Sequence, residues 1–152
     1  MTYTAAEGRQ QILESVAAAA DEIGLALALL SEAYEHLDEQ TAERLEETLF
    51  QPMQTAYGRA KRTHAGFAER YELPGHTFQS PSQVAPSGGV KDLIEAAVDT
   101  AAKADGVLIE LQDSMLPVEV GDAELRAALA EVRELIGGVR SRARELVRTL
   151  GR

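Results

Sequence analysis

The fold is decided by residues 12–37, which read ILESVAAAADEIGLALALLSEAYEHL. Apolar residues recur along this stretch at alternating steps of four and three: Ile12, Val16, Ala19, Ile23, Ala26, Leu30, Ala33 and Leu37. This spacing is typical of a helix that buries one stripe of side chains against neighbouring helices. It predicts a long amphipathic helix, which we place at 5–37.

The same spacing occurs twice more, from Val90 to Met115 and from Leu125 to Leu150, and predicts helices at 90–116 and 122–150. A less regular apolar pattern predicts a helix at 41–72, which Pro52 should kink because proline lacks a backbone N–H. Thr4, Thr41 and Asp122 are side chains suited to N-caps. The short turns at 38–41 and near 117–121 predict antiparallel neighbours. We expect one all-α domain over 1–152, an antiparallel four-helix bundle made of two αα-hairpins.

The loop at 73–89 leaves the order of the helices open. It holds three prolines, three glycines and three serines, and it has no charged residue. At about 3.3 Å per residue it is long enough to cross the length of the bundle. Its proline and glycine content suits a local turn better, so up-down-up-down is the favoured topology.

Composition excludes several classes of protein. The 152 residues include no cysteine, which rules out disulfide scaffolds and thiolate sites. A formal net charge of −10 argues against a general nucleic-acid binder. The first residues lack the basic and apolar regions of a signal peptide, and no apolar run approaches the roughly 20 residues of a membrane span. We expect a soluble, acidic, cytoplasmic protein with no role at a membrane.

The pattern also argues against an enzyme, with no catalytic residue and no cofactor assigned. Carboxylate di-metal bundles need acidic residues and Glu-x-x-His motifs in the core, whereas the stripes of the three regular helices are uncharged. Nucleophile-elbow and phosphate-loop motifs are missing from the sequence.

Two histidines are weak candidates for a metal site. His64 interrupts the apolar stripe of the 41–72 helix, and His76 lies in the long loop. They would meet if the loop folded back over the end of the bundle. The plainer interpretation of His64 is a histidine at the core edge that makes one hydrogen bond.

Two surfaces are candidates for partner binding. Leu25 and Leu29 widen the apolar face of the first helix beyond its stripe, which favours a homodimer. The alternative is that the first helix is simply the most buried one. Arg140, Arg144 and Arg148 end the last helix, and in the favoured topology they lie near the basic end of the second helix.

The leading functional hypothesis is therefore a non-enzymatic interaction or scaffold protein that associates with itself. One alternative is a metal- or small-ligand-binding enzyme centred on His64 and His76. Another is the binding of an acidic protein or a nucleic acid by the arginine-rich end, although cations at a helix C-terminus also favour the helix dipole.

Overall fold

The computed structural model describes residues 4–79 and 88–150, and all regular structure in these ranges is helical. The elements are α1 (Ala5–Glu35), α2 (Glu39–Leu45), a π-helical turn (Glu46–Phe50), α3 (Gln51–Arg70), α4 (Val90–Asp113), α5 (Leu116–Glu119), α6 (Ala123–Gly137) and α7 (Val139–Leu150). None of these helices is long and apolar enough to cross a membrane.

The helices begin where side chains satisfy the first free backbone N–H groups. Thr4 Oγ1 accepts a hydrogen bond from the Glu7 N–H at 3.1 Å, and Asp122 accepts one from Leu125 at 2.8 Å. Both N-caps were predicted. The prediction for Thr41 is wrong, because Asp38 is the cap and accepts from the Thr41 N–H at 2.8 Å. The helix therefore begins two residues earlier than predicted, at Glu39.

The predicted irregularity at Pro52 is a π-helical turn just before the proline. The Gln51 N–H reaches back to the carbonyl of Glu46. Proline has no N–H to donate to the carbonyl four residues earlier, that of Thr48. Arg142 of α7 supplies the missing donor, with its Nε 2.7 Å from the Thr48 oxygen.

The core is apolar and α1 contributes most to it. α1 packs against α3 and α4, α3 packs against α6, and α4 packs against α6 and α7. The buried positions of α1 include most of its predicted stripe. Alanines at many of these positions, such as Ala26 and Ala33, are fully buried and allow the helix backbones to approach closely.

Long-range contacts fix the directions of the helices. Arg9 donates to the Val120 carbonyl at 3.0 Å, and Arg70 donates to Asp122 at 2.7 Å. The start of α1, the end of α3 and the connection between α4 and α6 therefore meet at one end, which we call the lower end. The start of α4, the end of α7 and the π-helical turn lie towards the opposite, upper end.

The predicted up-down-up-down order is therefore wrong. α3 ends at the lower end and α4 begins at the upper end, so these two helices run in the same direction. The end of α3 and the start of α4 are therefore separated by about the length of α4, which at about 1.5 Å per residue is roughly 36 Å. As a consequence the basic ends of α3 and α7 lie at opposite ends of the molecule, not together.

Met115 also departs from its predicted place in the third apolar stripe. α4 ends at Asp113, and Met115 takes a left-handed backbone conformation with φ of 67°. Its side chain is 49% exposed, whereas Leu116 beside it is buried. Because the chain turns at Met115, the side chain of the next residue, Leu116, lies in the core.

Candidate functional site

The two candidate histidines are brought together by a reversal of the chain after α3. Glu72 adopts a left-handed conformation with φ of 54°, and the Leu73 N–H donates to the Ala68 carbonyl at 2.8 Å. This pattern ends helices by turning the chain back, and Pro74 then prevents further helix. Residues 72–79, which we call the return segment, run back towards α1 and α3.

The return segment places two aromatic rings against His64 of α3. The ring centroids of His64 and His76 are 5.8 Å apart, and Phe78 lies 5.5 Å from His64 and 4.6 Å from His76. Phe78 meets both imidazoles edge to face, the arrangement that aromatic quadrupoles favour. The structure brings His64 and His76 together, which the sequence allowed only on the condition that the loop folds back. Phe78 was missed because its contacts depend on the path of the loop.

A cleft of about 340 Å³ opens beside this cluster. Its walls come from α1, from His64 and from the return segment: Gln10, Leu13, Glu14, Ala17, Ala18, Asp21, His64, Pro74, Gly75 and His76. Two carboxylates and two imidazoles therefore share one cleft. Its size is near the lower limit for small-molecule sites.

His64 has an unusual environment for a polar side chain. It is only 4% exposed, and its Nδ1 has no hydrogen-bond partner among the described residues. Burial lowers the pKa of His64, and the neighbouring His76 lowers it further. The imidazole is therefore held in its neutral form. The hydrogen bond expected for a histidine at the core edge is not made by Nδ1.

The cleft offers a metal ion two imidazoles, but the described residues do not complete a set of ligands around it. Residues 4–79 and 88–150 contain no group of three or more His, Asp or Glu side chains close enough to hold an ion. Structural zinc sites use four protein ligands and catalytic ones use three. Glu14 and Asp21 line the same cleft without completing such a set.

The apolar flank of α1 is largely used within the chain. Leu29 is 9% exposed and belongs to the core, whereas Leu25 is 36% exposed. Leu29 is therefore not available as part of a free partner surface, which corrects the prediction for this residue. The wide apolar face reflects packing of α1 against two helices, α3 and α4.

The three arginines of α7 lie among carboxylates. Arg140 is 3.6 Å from Asp99 of α4, and Arg148 is 3.3 Å from Glu145 on its own helix. Arg144 lines a groove of about 280 Å³ between α4 and α7. The arginine-rich end is therefore one side of a mixed-charge surface, which the sequence pattern had not indicated.

This surface, which we call the α4/α7 groove, has an ordered arrangement of charge. Glu95 and Asp99 form its acidic wall on α4, and Arg140 and Arg144 form its basic wall on α7. Its floor consists of apolar side chains: Ile94, Val98, Ala143 and Val147. The helical spacing of Glu95 and Asp99 was visible in the sequence, but their position opposite the arginines depends on the topology.

Two basic residues of α3 are paired with carboxylates on α6 and at its N-cap. Arg70 contacts Asp122 at 2.7 Å and Glu124 at 3.0 Å, and Arg59 contacts Glu131 at 2.7 Å. These ion pairs join α3 to the first turn and to the middle of α6, so they stabilise the packing of the two helices.

Comparison with protein-family models, curated proteins and solved structures gives no match for this chain.

Proposed function

We propose that the chain is a four-helix bundle and acts as a non-enzymatic interaction protein that associates with itself through the α4/α7 groove. In this description α2 with α3, and α6 with α7, each count as one interrupted helix. The observation that carries the proposal is the pair of oppositely charged walls along one groove.

The acidic wall of one copy is complementary to the basic wall of a second copy, and the reverse. α4 and α7 are antiparallel, with Asp99 level with Arg140. A two-fold axis parallel to the groove places the α4 wall of one copy opposite the α7 wall of the other, at the same position along the axis. Glu95 and Asp99 then face Arg144 and Arg140 of the second copy, so every contact occurs twice.

The proposed association is weak and sensitive to salt. Its charged side chains are exposed, with side-chain exposures of 56% for Arg140 and 70% for Asp99. Exposed ion pairs contribute about 0–1 kcal/mol each and are screened by salt. The apolar contribution is limited to the partly accessible floor, at Val147 above all.

The main competitor for this surface is a polyanion such as a nucleic acid. Arg140, Arg144 and Arg148 would attract phosphate groups. Each phosphate bound in the groove would also meet Glu95 or Asp99, and like charges so close repel. The alternating walls therefore favour a partner that carries both signs of charge over one that carries negative charge alone.

Sedimentation velocity over a range of protein concentrations tests the proposal. We expect self-association at about 50 mM salt that weakens at about 500 mM salt, where the screening length falls well below 10 Å. Arg144→Glu should weaken it about tenfold, because two symmetry-related contacts change from attraction to repulsion. Adding Glu95→Arg to that variant should restore it.

Arg62→Glu is the matched control, since Arg62 is an exposed arginine of α3 outside the groove. It makes the same change in net charge and should leave association unchanged. Equal weakening by Arg62→Glu and Arg144→Glu would contradict the proposal. So would salt-sensitive binding of a DNA oligonucleotide that Arg144→Glu abolishes while the protein sediments as a monomer throughout.

A further inference from the structure

His64 is a buried polar residue whose Nδ1 lacks a hydrogen-bond partner within residues 4–79 and 88–150. The other buried polar side chains among the described residues are two threonines, and both are satisfied. Thr63 donates to the Arg59 carbonyl at 2.6 Å, and Thr100 donates to the Ala96 carbonyl at 2.8 Å. In the part of the chain that the structure describes, His64 Nδ1 has no such partner. Burying an unsatisfied polar atom costs free energy that exposure to water would recover.

The return segment holds His64 out of water by ring contacts. His76 and Phe78 pack on the imidazole at centroid distances of 5.8 Å and 5.5 Å. Phe78 is half-buried and His76 is exposed, so this side of His64 is covered by a single layer of chain. Such a buried imidazole is favoured in its neutral form, because burial penalises the charged form.

We propose that the return segment is an acid-released latch, which closes over neutral His64 and lifts away when His64 is protonated. An imidazolium at this position would be unsolvated and would face the ring of His76. Opening the segment admits water to both rings and relieves the burial of Nδ1.

The carboxylates on α1 favour an imidazolium, whereas in the closed state burial and His76 lower the pKa of His64. From α1, the carboxylates Glu14 and Asp21 and the amide of Gln10 line the cleft beside it. Once water enters, the two carboxylates stabilise an imidazolium in the open cleft. The return segment contributes only His76 as a titratable group to this cleft.

The sign of the pH dependence follows from the direction of the shift. The closed state holds the pKa of His64 below its ordinary value, so the closed state binds the proton less well than the open state. The latch is therefore fully favoured above the ordinary histidine pKa of about 6.5. This preference for the closed latch is lost as the pH falls from about 6.5 through the lowered pKa of His64.

Opening is measured by amide hydrogen exchange in peptides that contain Glu72 and Leu73, the residues of the return segment whose N–H groups are hydrogen-bonded. Corrected for intrinsic rates, exchange at pH 5 should exceed exchange at pH 7.5 by about tenfold for each unit of pKa difference between the two states. EDTA is included so that a metal ion does not contribute. Peptides from α1 and α6 should keep the same protection at both pH values.

Variants of the two histidines identify the trigger. His64→Leu, which has no ionisable ring, should lose the pH response and keep the segment protected at pH 5. His64→Gln, a neutral polar replacement, serves the same purpose if the leucine variant does not fold. His76→Gln retains His64 and should retain the response.

Three results would overturn the latch. The first is unchanged exchange of the wild-type segment between pH 7.5 and pH 5. The second is a full response in His64→Leu and His64→Gln. The third is loss of the response in His76→Gln, which would make His76 the titrating group.

Discussion

At the scale of single residues, Met115 occupies a conformation that side chains with a β-carbon avoid. Its φ of 67° places it in the left-handed region, at the point where α4 ends. Glycine is the usual residue there because it has no β-carbon to clash with the backbone. Met115 is 49% exposed, so its side chain adds little packing to offset the strain.

We therefore expect Met115→Gly to stabilise the protein by about 0.5–1 kcal/mol, measured by urea denaturation. Met115→Ala is the matched control, because alanine keeps the β-carbon and should give no gain of this kind. A glycine variant no more stable than the alanine variant would show that Met115 is not strained.

Asp122 is the residue that ties the lower end together. It caps α6, accepts two hydrogen bonds from Arg70 at 2.7 Å and 3.0 Å, and accepts a third from the Tyr71 hydroxyl at 3.0 Å. Burial alone would raise its pKa. The hydrogen bonds from Arg70, Leu125 and Tyr71 and the charge of Arg70 outweigh burial, and the pKa of Asp122 is lowered.

This shift makes the stability of the protein depend on pH. The ionised carboxylate stabilises the folded state above the unfolded pKa of about 3.9, and this contribution is lost as the pH falls through the lowered value. Asp122→Asn keeps an N-cap but removes the charge, so it should cost about 1 kcal/mol at pH 7 and less near pH 2. Chemical denaturation at both pH values would detect the difference, and an equal cost at both would rule out the ionic contribution.

At the scale of elements, a side chain of α7 compensates for the π-helical interruption before α3. Pro52 leaves the Thr48 carbonyl without its helical donor, and Arg142 donates to that carbonyl from α7. The sequence pattern located the irregularity at Pro52. It could not show that an arginine ninety residues later compensates for it, because that contact depends on how the helices pack.

A double-mutant cycle tests whether Arg142 compensates for Pro52. Arg142→Ala should destabilise the protein by about 1.5–3 kcal/mol, the range for a hydrogen bond to a charged group. In a Pro52→Ala background the new backbone N–H at this position can serve the Thr48 carbonyl, so the same substitution should cost clearly less. Additive effects in thermal denaturation would show that Arg142 does not act through this carbonyl.

The helices themselves were predictable because their signals are local. The stripe of α1, the Thr4 cap and the Asp122 cap each depend on residues within a few turns of one another. The course of the chain after Arg70 was not predictable in this way. It follows from the left-handed Glu72 and from the docking of His76 and Phe78 on His64, and a loop of that length permits either topology.

At the scale of the whole molecule, topology decides which charges meet. Sorted along the sequence, the basic ends of α3 and α7 suggested one positive end of the molecule. With α3 and α4 running in the same direction, Arg70 instead meets Asp122 at the lower end, and Arg140 meets Asp99 towards the upper end. Arg140 and Arg144 were found from the sequence, but their acidic counterparts could be identified only after the helices were placed.

Only part of the candidate site could be predicted from the sequence alone. The sequence allowed a meeting of His64 and His76 only if the loop folded back, and it could not show that the loop does so. Among the described residues, the lack of a third metal ligand and of a partner for His64 Nδ1 depends on the distances between α1, α3 and the return segment. Local sequence patterns do not determine these distances.

Self-association through the α4/α7 groove can be tested by cross-linking, because the chain has no cysteine of its own. A cysteine at Val147 lies on the groove floor near the proposed two-fold axis, whereas a cysteine at Leu25 lies on the alternative face, on α1. Labelling with a monofunctional maleimide first establishes that both are accessible. With a short bis-maleimide we predict covalent dimers for Val147→Cys, fewer at high salt, and none for Leu25→Cys. Dimers from Leu25→Cys alone, or from neither variant, would contradict the proposed interface.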